Sequence, residues 1–288
     1  MKKLVLKYLP ILLALIIAFA GYFTLSSYSR NRSEYAVVSF NSKALSLDLT
    51  VSQTGFVVKV MPANVDSQEK LAEFDIKGMN IADAISELSD EAEKNETIFV
   101  GVYVNEDEDI EPEDLKSLLD IACSKLSVSC VAAYGTYENY DSQRSVAYKQ
   151  TIGMVSFIKD YADLLYSELS IYIDTLYVYD MEPYDIAFYA EYIYEKNEIE
   201  NYKELLSIDL SHYKKERDFL SVEEAQDQML KFIQEVFVDE AEDLYYVGYQ
   251  IDRGYLAHAF KFRVNGENRV ALVNVYNGST TEYFLDDY

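Results

Sequence analysis

Leu45, Leu47, Leu49 and Val51 alternate with Ser46, Asp48 and Thr50, the two-residue period of a strand with one apolar face. The alternation holds from Tyr35 to Met61 and divides into three strand-like segments. Asn41-Ser42 stands between the first two. Ser52-Gln53-Thr54-Gly55 turns the chain into the third, with Gly55 supplying the turn conformation. From Asn80 the period changes, because Ile81, Ala84, Ile85 and Leu88 follow helical spacing. Thr97 to Val104 is apolar enough for a central strand. Pro112 suits the first turn of a helix, where acidic residues crowd and Leu115, Leu118, Leu119 and Ala122 share a face. A strand through Val128–Tyr134 completes the order β-β-β-α-β-α-β. This predicts a small domain over residues 33–140, with two helices on one mixed sheet.

Residues 141–217 read as a helical connector. Val155, Ile158, Ala162, Leu165, Leu169, Tyr172, Leu176 and Tyr179 repeat at steps of three and four, which fits a coiled-coil seam over three heptads. Tyr161, Leu164 and Ile171 widen the stripe, so an amphipathic helix packed inside its own protein is the expectation. Pro183 opens a second helix, and a third helical stretch is expected over Asn201–Glu216. Residues 218–288 form a last unit. Ser221 with Glu224 makes a capping box, and Asn265-Gly266 and Asn277-Gly278 separate strand-like runs. The fold class expected is therefore α+β, ending in a helix plus an antiparallel meander.

The first thirty residues change the picture. No charge occurs between Lys7 and Arg30, and eighteen helical residues from Tyr8 would span roughly 27 Å, close to a hydrocarbon core. Lys2, Lys3 and Lys7 place residues 1–7 in the cytoplasm and make residues 8–29 a single-pass signal anchor. Ala18-Phe19-Ala20 also fits a cleavage site, and secretion after cutting near Ala20 is the alternative. Either way the bulk of the chain is extracytoplasmic. A formal net charge of −25 argues against nucleic acid as a partner. The 50% hydrophobic content argues against disorder.

Candidate chemistry is sparse. Asn105–Asp114 has the acids of half a calcium loop but lacks its glycine and its terminal glutamate, so it reads as a solvated helix-opening loop. His258 stands alone between Ala257 and Ala259, without a partner to activate. No nucleophile motif, zinc motif or phosphate loop is present, and no metal, no cofactor and no ordinary enzymatic activity are expected. Cys123 and Cys130 are the only cysteines; export permits a disulfide between them, and two buried thiols are the alternative.

The stretch from Tyr35 to Asn64, "YAVVSFNSKALSLDLTVSQTGFVVKVMPAN", resembles the start of the extracytoplasmic domain of RsgI-type membrane anti-sigma factors. "LAEFDIKGMNIADAISEL" fits the glycine-then-helix segment that follows there, and the likeness reaches about Leu165. The resemblance implies transmembrane signalling in a Gram-positive-type envelope. It also implies possible self-cleavage, which in that family falls at Asn-Pro; here Asn41 is present and Ser42 replaces the proline. Only seven residues precede the apolar run, so no anti-sigma module and no direct sigma-factor contact are expected. Ser221–Asp286, with "EEA" on a helix and "VYNGSTTEY" near its end, resembles a PepSY module, which is non-catalytic. The expected function is a non-catalytic, membrane-anchored sensor or binding protein whose partner outside is a protein or wall component. The alternatives are a device that cuts itself at Asn41-Ser42, and a secreted protease inhibitor or accessory acting through the PepSY-like end.

Overall fold

The computed structural model describes residues 34–92, 96–138, 150–237 and 241–284. The anchor expected over residues 8–29, the cleavage point near Ala20 and the start of the connector lie outside these residues. Among the described residues, no helix is long and apolar enough to cross a membrane.

The fold is α+β, with two sheets. The first sheet has six strands in the order β3-β2-β1-β4-β5-β6. These are β1 (Ala36–Asn41), β2 (Ser46–Val51), β3 (Val57–Pro62), β4 (Thr97–Asn105), β5 (Ser129–Tyr137) and β6 (Ile208–Asp209). Only β4 and β5 run parallel, joined by the crossover helix that Pro112 opens; every other pair is antiparallel. The sheet is therefore mixed, as the β-β-β-α-β-α-β pattern implied.

Two helices cover one face: α2 (Ile81–Ser89) and α3 (Pro112–Cys123). Leu45, Leu47, Leu49 and Val51 meet Ile81, Ile85, Leu88, Leu115 and Leu119 there in one buried cluster. Burial of each such side chain is worth about 1.5–3 kcal/mol. A further helix, α1 (Val65–Leu71), was not expected from periodicity. It is short and mostly exposed, and its signal is the Asn64 cap, whose side chain accepts from the Ser67 amide.

The segment expected as a connector does more than connect. Helix α4 (Ile152–Leu169) lies on the other face of the first sheet, where Met154, Phe157, Tyr161 and Leu165 pack with Phe99, Tyr103 and Val131. The three-four stripe stops at Leu169, because Ser170 takes a left-handed φ of 55° and caps the helix. Tyr172 is then 79% exposed, so the seam suggested over three heptads does not form. A single turn, α5 (Thr175–Val178), leads to α6 (Pro183–Lys196), which starts at the proline as expected.

The third helical stretch is a correction: only α7 (Tyr202–Leu205) is helical. Ser207 turns left-handed, and Ile208–Asp209 then pairs with Ala132 and Ala133 as β6. The pull of an unpaired sheet edge outweighs local helix propensity here.

The last unit matches its punctuation. Helix α8 (Val222–Val236) begins at the Ser221–Glu224 capping box. It packs on an antiparallel sheet of order β10-β9-β8-β7, comprising β7 (Glu242–Asp252), β8 (Tyr255–Val264), β9 (Glu267–Asn274) and β10 (Thr280–Phe284). Asn265 and Gly266 both have positive φ at the β8–β9 turn. Helix α6 touches both sheets, and Leu256 and Val275 of the last unit join the cluster built on α4 and α6.

Candidate functional site

The β1–β2 hairpin presents Asn41 and Ser42 at its tip. Asn41 ends β1, pairs with Ser46 across the hairpin and is buried. Ser42 closes the loop: its amide donates to the Leu45 carbonyl at 2.8 Å, and its Oγ accepts from the Leu45 amide at 3.0 Å. None of residues 41–45 has a left-handed φ, and no peptide bond among the described residues is cis. The pair sits in a hydrogen-bonded hairpin loop.

Asn41 is held from the far side of the sheet. Its Nδ2 donates to Gln150 Oε1 at 2.7 Å, 109 residues along the chain, and to Ser46 Oγ at 3.3 Å. Its Oδ1 accepts from Thr151 Oγ1. Gln150 Nε2 in turn donates to the Tyr179 carbonyl at 2.9 Å. For Asn41 Nδ2 to attack its own carbonyl, it would have to leave both acceptors. Ser42 Oγ is engaged with the Leu45 amide and carbonyl, so both side chains hold the hairpin.

Beside this pair, the same face of the sheet caps α4. Asp48 accepts from the Ile152 amide at 3.1–3.2 Å and from Ser39 Oγ at 2.6 Å, while Ser39 Oγ accepts from the Gly153 amide at 2.8 Å. Orphan donors of the first turn are satisfied by strand side chains. Gly153 permits the approach, because a Cβ there would lie 2.7 Å from Ser39 Oγ and 2.8 Å from Tyr103. Burial pushes the Asp48 carboxyl up to about 6, against the opposing pull of the Ser39 and Ile152 hydrogen bonds. Asp48, on the polar side of the β2 alternation, is therefore part of the core.

A polar cleft of about 270 Å³ opens at the hairpin tip, lined by Asn41, Ser42, Lys43, Gln150, Glu182 and Pro183 among others. Lys43 Nζ lies 3.0 Å from Glu182, which also pairs with Arg217. Arg217 is stacked between two rings, 4.7 Å from the Tyr184 centroid and 4.9 Å from that of Tyr276. Its Nη1 is 3.8 Å from Asp185, and Tyr276 donates its hydroxyl proton to the same carboxylate. Burial raises Glu182, but the hydrogen bonds from Arg217 and Lys43 prevail and hold its carboxyl below the ordinary range. Asp185 moves the other way: burial lifts it to about 6, although Tyr276 and Arg217 both oppose the shift. This chain of charges ties the hairpin tip to α6 and to the turn before β10.

The other residues singled out in the sequence lie elsewhere. His258 is buried; its Nε2 is 2.8 Å from the Leu220 carbonyl and its Nδ1 is 3.1 Å from Tyr246 Oη. Those partners assign the proton to Nε2, and burial lowers its basicity despite the Leu220 hydrogen bond. Among the described residues, no group of three or more His, Cys, Asp or Glu is placed to hold a metal ion, the acidic loop at Asn105–Asp114 included. Cys123 and Cys130 share one core cluster and are not bonded to each other in this structure.

Sequence reasoning missed Gln150, Thr151, Glu182, Arg217 and Tyr276. Thr151 carried a readable signal, as an N-cap residue directly before an apolar-periodic run. No family model matches the chain, and no curated protein is significantly similar to it.

Proposed function

We propose that the chain is a non-catalytic extracytoplasmic binding or sensor protein, anchored through residues 8–29 and related to the ectodomains of RsgI-type anti-sigma factors. One observation carries the non-catalytic part. Asn41 and Ser42, the reactive pair that the resemblance implies, are hydrogen-bonded into a loop that fastens the first sheet to α4. Cleavage at such a pair draws on backbone strain held by surrounding structure. None of residues 41–45 has a left-handed φ, and what surrounds Asn41 restrains its side chain.

The joint at Glu182, Arg217, Asp185 and Tyr276 supports a binding role. It couples the hairpin tip to the last unit, so the two units present a fixed arrangement to a protein or wall partner. A pre-set surface binds with less ordering cost than a loosely tethered one.

The experiment is a topology assay on the full chain, with a reporter fused after Tyr288. Export places the reporter outside the cell, as the Lys2, Lys3 and Lys7 flank requires. A reporter active only in the cytoplasm would refute the envelope assignment.

A further inference from the structure

The crossover between β4 and β5 brings the only two cysteines together. Cys123 is the last residue of α3, and Cys130 is the second residue of β5. Both face the cluster under α2 and α3, at 3% and 0% exposure. The Cys123 thiol lies within hydrogen-bonding reach of Cys130. Leu126 and Val128, from the turn between them, pack over the same cluster. The Leu126 amide donates to the Cys123 carbonyl at 3.0 Å, and the Cys130 amide donates to the His212 carbonyl at 3.1 Å, so both ends of the turn are fixed.

We propose that Cys123 and Cys130 are a disulfide pair that closes before the core does and is afterwards shielded by it. A disulfide needs its two side chains to face each other at short range, and two thiols within hydrogen-bonding reach on adjoining elements of one core meet that requirement. The oxidant is a disulfide, either that of a thiol–disulfide oxidoreductase or of a small molecule. One cysteine thiolate attacks it and expels one oxidant thiolate; the second cysteine thiolate then attacks the sulfur of the first and expels the oxidant's other thiolate from the mixed disulfide. The Sγ–Sγ bond forms, two electrons pass to the oxidant, and the two cysteine protons end on its two thiols.

Burial governs the order of events. The thiolate is the reacting species, and desolvation drives the Cys130 thiol well above its ordinary range once the core is closed. The pair therefore reacts in the open chain, or during local opening, and is inert in the closed one. When formed, the bond ties the end of α3 to β5 across the one parallel connection of the first sheet.

The test uses the full chain, reduced and unfolded, then refolded in a glutathione redox buffer and alkylated in denaturant. The expected product carries no alkyl group and is lighter by two hydrogen atoms than the reduced chain. Its urea midpoint lies above that of the reduced chain, because the bond suits the native geometry. Reduction of the folded product by dithiothreitol is expected at least about 100-fold slower than in urea, since access requires opening of the core. Two alkylated thiols after oxidative refolding would overturn the pairing, and so would an oxidised chain with a lower midpoint than the reduced one. Equal reduction rates in buffer and in urea would overturn the shielding.

Discussion

Asp48 offers the most quantitative perturbation. Its carboxyl sits under the first turn of α4, with its protonation equilibrium raised to about 6 by burial. An unfolded aspartate titrates near about 3.9, so the folded chain keeps this proton to higher pH than the unfolded chain does. Stability from this group is whole below about pH 3.9 and is lost as pH rises through about 6. The full difference is about 3 kcal/mol, from about two pH units at 1.36 kcal/mol each. The sequence pI of about 4.3 makes the acid end impractical for solubility, so the useful window is the upper part. Between pH 5 and pH 8 the linkage integral leaves a loss of about 1 kcal/mol. Asp48→Asn keeps the shape and the acceptor oxygen for Ser39 and Ile152 but cannot ionise. The measurement is urea unfolding of both chains at steps across that window, followed by circular dichroism. Wild type should lose about 1 kcal/mol relative to Asp48→Asn as pH rises, and Asp185, which burial also lifts to about 6, cancels because both chains carry it. A difference that stays flat, or that grows in favour of wild type, would show an ordinary carboxylate stabilised by the helix terminus and refute the reasoning.

Four further substitutions probe other contacts of the fold. Arg217→Ala leaves Asp185 and Glu182 without their shared cation and should cost about 2–3 kcal/mol in denaturant unfolding; Arg217→Lys should recover only part, because an ammonium cannot stack flat between Tyr184 and Tyr276. Gly248→Ala should cost at least about 2 kcal/mol in the same assay, since φ is +132° and the new Cβ would lie 1.9 Å from Tyr192 Oη. Ser170→Gly should raise stability by about 0.5–1 kcal/mol, because glycine takes the left-handed cap at φ 55° without steric cost.

The sequence made plain those elements whose signals are local. The Ser221–Glu224 box, Pro112 and Pro183 at helix starts, and the Asn265-Gly266 turn each act within a few residues and appear where their chemistry places them. The second helical layer was harder to place. The alternation of β2 marks Ser46, Asp48 and Thr50 as its polar face, yet all three are buried, and Asp48 caps the first turn of α4. A polar strand face is compatible with a helix on top when its side chains cap that helix, and hydrophobic periodicity carries no record of such a partner. Arg217 was hidden in the same way. It stands just past the stretch expected as a third helix, and its rings come from Tyr184 and Tyr276, far away in the chain. Asn41 was visible as a candidate, but its role depends on Gln150 and Thr151, and no local pattern links them to it.

The central claim is that Asn41 and Ser42 form a structural pin in an uncut chain. Intact-mass analysis of the purified full chain under denaturing conditions tests this most directly. The account predicts one species, with the peptide bond between Asn41 and Ser42 unbroken after prolonged storage at neutral pH. Two fragments that separate at that bond in wild type, and stay joined in Ser42→Ala, would contradict it.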